Sequence, residues 1–104
     1  KALQAGHGPA PAYESVYILA EAIERAGSLD PDAIVAELEK TDRMGVMGRV
    51  KYDEGHQAIF GSDPQETAVG TVFQWTEDGK RKIVFPESIA EAKIQLPPGL
   101  KSLK

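Results

Sequence analysis

Residues 48–61, GRVKYDEGHQAIFG, bring three side chains that can bind metals or transfer protons into four consecutive positions. Asp53, Glu54 and His56 lie there between two apolar runs. A metal site needs three or four converging ligands that other groups hold in place, and neighbours in a tight turn seldom converge. Asp and Gly are also favoured in turns for their backbone conformations alone. We therefore predict a polar turn between two strands, and an enzyme domain that uses these three side chains is the alternative.

Other motifs of catalysis are absent from the sequence. It has no GxSxG elbow and no GxxxxGK[ST] or GxGxxG phosphate loop. It has no cysteine, which excludes disulfides, thiolate metal sites and cysteine nucleophiles. We therefore predict that this chain is not an enzyme by itself and that it uses no metal or cofactor.

The composition is that of one small globular unit. The 104 residues are 41% hydrophobic and 27% charged, with a formal net charge of −4. An acidic balance argues against a nucleic-acid partner, which needs clustered Lys and Arg. No apolar run reaches the roughly 20 residues that cross a bilayer. The chain opens on KALQAGHGPAP, which we predict to be a Gly/Pro/Ala connector that leads into a helix. It has no start Met or signal segment, so we expect the chain to be a piece of a longer or processed protein.

Two helices are predicted in the first half of the chain. Helical spacing predicts the first helix over 13–26, ended by Gly27, with Glu14 and Glu21 off its buried stripe. The stripe comprises Val16, Leu19, Ala20, Ile23 and Ala26. A second helix follows at 31–40, and because the connection is short the two helices should pack side by side.

The second helix has clear signals at its start. Asp30 is placed to cap it, Pro31 suits its first position, and Leu29 is expected to pack on Ile34 as a hydrophobic staple. The predicted buried stripe comprises Ile34, Val35 and Leu38, and the residues predicted to face water are Glu37, Glu39 and Lys40.

Beyond Thr41 the apolar period changes to that of strands. We predict a strand near 48–53, a short partner at 58–60, a loop at 61–67 and then a hairpin. Asp78–Gly79 suits a two-residue type I′ turn, which would set Trp75 opposite Lys82 and Phe73 opposite Val84. Pro86 should end the second strand, one helical turn should follow, and 93–104 should form a trailing segment.

Tyr13 and Tyr17 lie one turn apart at the start of the first helix. Aromatic residues at this spacing usually pack in a core. Alternatively they flank a ligand above the helix N-terminus, where free N–H groups and the helix dipole favour a carboxylate. His7 and Gly8 precede the helix and could reach the same place.

The order of these elements resembles a known family. The run YESVYILAEAIERAGSLDPDAIVAELEKTDRMGVMGRVKYDEGHQ, followed by GTVFQWTEDGKRKIVFP, is similar to the C-terminal portion of type I periplasmic binding proteins. The branch is that of the branched-chain amino acid (Leu/Ile/Val) receptors of ABC transporters. The resemblance covers residues 8–96 and rests on the order and spacing of the motifs.

This resemblance implies an α/β fold. The chain would be a fragment of a two-lobed receptor, with two helices followed by a segment rich in β-hairpins. Residues 1–66 would belong mainly to one lobe. Residues 67–104 would carry an interlobe crossing near 67–75, the hairpin and the tail of the other lobe. Asp53, Glu54 and His56 would then form a structural turn near the interlobe region.

The family also implies a function in transport. The parent protein would be periplasmic, or extracellular and tethered to the membrane, and would deliver a small amino-acid-like solute to a membrane permease. The segment before the first helix can supply a ligand contact, commonly an aromatic, and His7–Gly8–Pro9 stands there in this chain. The resemblance therefore implies His7, Gly8 and Tyr13 as ligand-contact residues.

Two further expectations follow. A segment of a two-lobed receptor leaves apolar faces and sheet edges uncovered, so the isolated chain could form a homodimer, and strand or element exchange is one route to it. A ligand-sensing regulatory domain on the same fold is the alternative function, because fold does not separate transport from sensing.

Overall fold

Within residues 6–97, 99 and 100, which the computed structural model describes, the chain forms two helices and six strands. The helices are α1 (Pro9–Ala26) and α2 (Pro31–Leu38). The strands are β1 (Asp42–Gly45), β2 (Gly48–Lys51), β3 (Phe60–Gly61), β4 (Ala68–Val69), β5 (Val72–Trp75) and β6 (Arg81–Phe85). This is the mixed α/β class that the sequence predicts. The first five residues of the predicted connector, and residues 98 and 101–104 of the predicted tail, lie outside the described residues.

The chain divides into two compact units, Lys1–Gly70 and Thr71–Lys104. The first unit holds both helices and strands β1 to β4, and the second holds the β5–β6 hairpin. In the described range, no helix combines the length and the apolar character that crossing a membrane requires.

α1 begins at Pro9, four residues before its predicted start at 13. The last residues of the predicted connector are compatible with a first helical turn. Pro9 occupies the first helical position and Pro11 the third, where backbone N–H groups have no partner inside the helix in any case. The helix ends as predicted, since Gly27 adopts the left-handed conformation with a φ of 59° and donates its N–H to the carbonyl of Ile23.

The buried face of α1 differs from the predicted one. Glu14, Ile18 and Ala22 are buried, and Glu14 is only 1% exposed. Val16 and Leu19, which head the predicted stripe, are 67% and 46% exposed. The prediction ranked faces by apolar character alone, whereas partners elsewhere in the chain stabilise the Glu14 carboxylate in a buried position.

α2 confirms its predicted cap but not its staple. The Asp30 carboxylate accepts a hydrogen bond from the N–H of Ala33 at 3.1 Å. Leu29 is 80% exposed, so it does not cover Ile34. The helix also ends at Leu38 rather than at residue 40, and Val35, predicted to be buried, is exposed.

α1 and α2 pack against each other, as predicted, and Glu37 joins them. Its carboxylate pairs with Arg25 of α1 at 3.3 Å and with Lys40 at 2.7 Å, and Arg25 also donates to the Glu37 carbonyl. Glu37 was predicted to face water, and that prediction is wrong because the two cations draw its side chain into the helix contact.

Strands β1 to β4 form one mixed sheet in the order β1–β2–β4–β3. β1 and β2 make an antiparallel hairpin in which Gly45 pairs with Gly48, and the sequence did not predict β1. β2 matches the strand predicted near 48–53. The predicted partner at 58–60 meets it through a single bridge between Tyr52 and Ala58, while β3 itself pairs in parallel with β4.

The core of the first unit is small. It comprises Ile18 from α1, Val50 from β2 and Ala68 from β4, all buried. The partly buried residues packed around them are Leu38, Met47 and Tyr52. One side of α1 therefore covers the sheet, and the other side does not belong to this core.

The second unit is built on the β5–β6 hairpin, whose predicted register is wrong by one residue. Trp75 pairs with Arg81 rather than Lys82, and Phe73 pairs with Ile83 rather than Val84. The cause is a longer loop. The N–H of Gly79 donates to the Thr76 carbonyl, and Gly79 has a φ of 73°, which makes a three-residue loop over 77–79.

A chain segment after β6 covers one face of the hairpin. β6 ends before Pro86, as predicted, and the predicted helical turn is a 3-10 turn at Glu87–Ile89. Farther along, Gln95 exchanges two hydrogen bonds with the side chain of Gln74. Val84 and Pro86 are buried as a result. The opposite face presents Phe73 and Trp75, and Trp75 is 67% exposed.

Candidate functional site

The residues predicted to contact a ligand lie at the N-terminal end of α1. His7 and Gly8 are exposed in a bend before the helix, and Tyr13 is exposed on its second turn. The Tyr13 ring lies 5.0 Å from the ring of Tyr17, at an interplanar angle of 49°. Tyr13 therefore pairs with Tyr17.

The backbone of this end offers few hydrogen-bond donors. Gly8 is the N-cap and provides no side-chain cap. Pro9 and Pro11 have no N–H, and the N–H of Ala12 already donates to the Gly8 carbonyl at 3.1 Å. The first turn therefore presents the N–H of Ala10 alone, where a helix of another sequence would present three.

Arg43, on β1, is a neighbour of this site that the sequence did not indicate. Its Nε donates to Oε2 of Glu14 at 2.9 Å, its Nη1 donates to Oε1 of Glu21, and its guanidinium lies 4.9 Å from the centre of the Tyr17 ring. The hydrogen bond to Glu14 is the main reason that the pKa of Arg43 is raised. The other oxygen of Glu14, Oε1, accepts the N–H of Val46.

Gly45 makes this arrangement possible. A Cβ at position 45 would overlap the carboxylate of Glu14, so only glycine lets the β1–β2 hairpin approach α1 this closely. Glu14 and Arg43 are 29 positions apart, and no local pattern links them. The one available signal was an otherwise unexplained glycine, Gly45, at the end of β1.

The charge of this cluster limits what it can bind. Two carboxylates, Glu14 and Glu21, surround a single guanidinium, so the group has a net charge of −1. A bound carboxylate would be repelled by that charge. The exposed tyrosine pair suits aromatic or apolar groups, and a hydrogen bond with Tyr17 is the main reason that the pKa of the Tyr13 hydroxyl is raised.

The turn at Asp53, Glu54 and His56 is confirmed. Oδ1 of Asp53 accepts the N–H groups of Gly55 at 2.8 Å and Gln57 at 2.9 Å, and the Asp53 carbonyl accepts the N–H of His56. The Asp53 carboxylate, which suggested a metal or acid–base site, therefore accepts hydrogen bonds within its own turn. Among the residues that the structure describes, no three His, Asp or Glu side chains are grouped so that they could hold a metal ion.

The turn does bring His56 to a partner that the sequence did not suggest. Nε2 of His56 lies 3.0 Å from Oε1 of Glu39, the residue that caps the C-terminal end of α2. Both border an open cavity of about 270 Å³ whose remaining lining residues are Val35, Leu38 and Tyr52. Glu39 was predicted only to face water, which it partly does.

Comparison with known proteins identifies no relative of this chain. No protein-family model matches the sequence, and neither the curated proteins nor the solved structures include a significant match.

Proposed function

We propose that this chain is part of an ABC-transporter substrate-binding protein. The parent protein, exported to the periplasm or tethered at the cell surface, would capture an amino acid or a related carboxylate or amide between two lobes. It would then deliver the solute to a membrane permease. Lobe closure around the solute would be the working motion, and no covalent chemistry would be required.

The division of the chain is the observation that supports this proposal best. The family resemblance implies that the chain crosses between lobes near 67–75. Along the chain, the boundary between the two compact units falls between Gly70 and Thr71, inside that range. The helices and the four-stranded sheet lie on one side of this boundary and the aromatic hairpin lies on the other, as a segment that contributes to two lobes requires.

The exposed apolar surfaces also support it. Val16 and Leu19 leave one side of α1 apolar and uncovered, and Phe73 and Trp75 do the same for the hairpin. A two-stranded hairpin is marginally stable by itself in water. Apolar faces of this kind normally mark contact with other polypeptide, which the rest of each lobe would supply.

Within this proposal His7, Gly8 and Tyr13 make only a partial solute site. The α1 terminus has one free N–H and an acidic cluster behind it, so it would contribute poorly to holding a solute carboxylate. We propose that Tyr13 contacts the side chain of the solute instead, with His7 beside it. The groups that bind the ammonium and carboxylate of an amino acid would belong to other parts of the parent.

Ligand binding by the complete gene product tests the proposal. Isothermal titration with a panel of amino acids, aromatic acids and small amides should identify a solute with a Kd in the micromolar range or below. Tyr13→Ala should then weaken binding by about tenfold, which corresponds to roughly 1.4 kcal/mol. Leu29→Ala is the control, since Leu29 is 80% exposed and lies beyond the other end of α1. Turnover of a substrate by the 104-residue chain would overturn the proposal.

A further inference from the structure

We propose that the cavity between α2 and the 53–57 turn binds a small apolar molecule that carries a primary ammonium group. Val35, Leu38 and Tyr52 would contact its hydrocarbon part, and the Glu39 carboxylate would bind its ammonium. This site goes beyond the proposed solute capture, because all its residues lie in the first unit and none of them is His7, Gly8 or Tyr13.

The size and lining of the cavity indicate the hydrocarbon part of the proposed ligand. A volume of about 270 Å³ lies just below the range of about 300–1,000 Å³ that is usual for drug-sized ligands, which suits a ring with a short chain. Its surface is mainly aliphatic and aromatic, through Val35, Leu38 and Tyr52. Apolar concave sites with one or two polar groups at the edge are the usual form of small-molecule sites.

The charge at the rim selects a cation. An ionised carboxylate can only accept hydrogen bonds, so His56 donates its Nε2–H to Oε1 of Glu39. That bond orients the Glu39 carboxylate and leaves Oε2 to accept from a ligand. Lys40, the nearest cation in sequence, pairs with Glu37 instead of Glu39.

The backbone conformation of His56 places its imidazole at this rim. His56 has a φ of 61°, and it is the one described residue other than glycine with a positive φ. Histidine is one of the non-glycine residues that adopt this left-handed conformation more readily. Here the hydrogen bonds of Asp53 fix the turn, and the turn carries the imidazole to the rim of the cavity.

Titrations of the ¹⁵N-labelled 104-residue chain with three probes test the proposal at about pH 8, where ordinary imidazoles are neutral. The probes are phenethylammonium, its neutral counterpart 2-phenylethanol and the anion 3-phenylpropanoate. Phenethylammonium should shift the amide signals of Leu38, Glu39 and His56 and bind more tightly than either other probe. Because the Glu39 side chain is about half exposed, Glu39→Gln should weaken phenethylammonium by about threefold to fivefold. The glutamine amide oxygen can still accept from His56.

Two further variants separate charge from shape. Glu54→Gln also removes one negative charge, from the 53–57 turn at a residue outside the cavity lining, and should leave all three affinities unchanged. Val35→Ser removes part of the apolar wall and should weaken phenethylammonium and 2-phenylethanol alike. Equal binding of the three probes by the wild-type chain, an unchanged phenethylammonium affinity in Glu39→Gln, or signal shifts confined to other residues would each overturn the proposal. None of these results bears on solute capture between the lobes.

Discussion

Replacing Glu14 with alanine removes the most buried carboxylate of the first unit. Glu14 is 1% exposed and accepts hydrogen bonds from the Val46 N–H and the Arg43 guanidinium. Hydrogen bonds to a charged group contribute about 1.5–3 kcal/mol, and an acceptor lost from a buried site is not fully replaced by water. Arg43 keeps its bond to Glu21, which limits the loss. We therefore expect Glu14→Ala to lower the free energy of unfolding by about 2 kcal/mol.

Gly45→Ala should act on the same contact from the other side. The added Cβ would overlap the Glu14 carboxylate and displace it, so the single substitution should also cost about 2 kcal/mol. Once Glu14 is alanine, the three atoms closest to that methyl group are no longer there. The double variant should then be no less stable than Glu14→Ala, which gives a coupling energy of about 2 kcal/mol.

Urea unfolding followed by circular dichroism at 222 nm measures these energies, since α1 and α2 both lie in the first unit. Glu14→Gln keeps an oxygen acceptor for the Val46 N–H, so it should lower the free energy of unfolding by about half as much. This variant replaces Glu14→Ala in the test if the alanine variant fails to fold. Glu24→Ala, on the exposed side of the same helix, should change stability by less than about 0.5 kcal/mol. A Glu14→Ala variant as stable as Glu24→Ala, or additive losses in the double variant, would refute the reasoning.

Three further predictions concern the hairpin, acid stability and association. Gly79→Ala should destabilise the hairpin by about 1–2 kcal/mol, because Gly79 has a φ of 73°. The control Gly70→Ala should have little effect. Trp75 fluorescence during urea unfolding measures the stability of both variants. The hydrogen bond from Lys40 lowers the pKa of Glu37 below 4.5, so stability should fall as pH drops below about 4.5, and Glu37→Gln should flatten that fall in acid titrations followed by circular dichroism. The isolated chain should self-associate with rising concentration, and Val16→Lys should shift it toward monomer in light scattering, whereas a wild-type chain that stays monomeric throughout would contradict this.

Local signals in the sequence predicted the ends of the helices well. Asp30 and Gly27 act through their own backbone neighbours, so their roles follow from the few residues around them. Asp53 is similar, because the groups it binds lie within four positions. These are interactions that a short window of sequence contains in full.

The sequence could not indicate interactions between distant residues. Arg43 lies 29 positions from Glu14, and His56 lies 17 positions from Glu39. Without the first pair, the apolar spacing of α1 pointed to Val16 and Leu19 as buried, although Glu14 takes the buried place. The acidic cluster of Glu14, Glu21 and Arg43 near Tyr13 therefore could not be predicted from any local pattern.

The hairpin register failed for a different reason. Asp78–Gly79 satisfies both a two-residue turn and the last two positions of a three-residue loop, and the two differ by one residue in pairing. The three-residue loop is favoured by Thr76, whose single hydroxyl proton is shared between the Asp78 carboxylate and the Lys80 carbonyl oxygen, which lies 2.9 Å away. Prediction of the register from sequence would have required weighing that single side chain.

The most direct test of the proposal that this segment works between two lobes is a thermal-shift screen of the complete gene product with amino acids, aromatic acids and small amides. A ligand that binds only the native state at a hundred times its Kd stabilises it by about 2.7 kcal/mol, which should raise the unfolding midpoint by about 5 °C or more. We predict such a rise for at least one amino-acid-like solute. A midpoint that no member of the panel changes would contradict the proposed function.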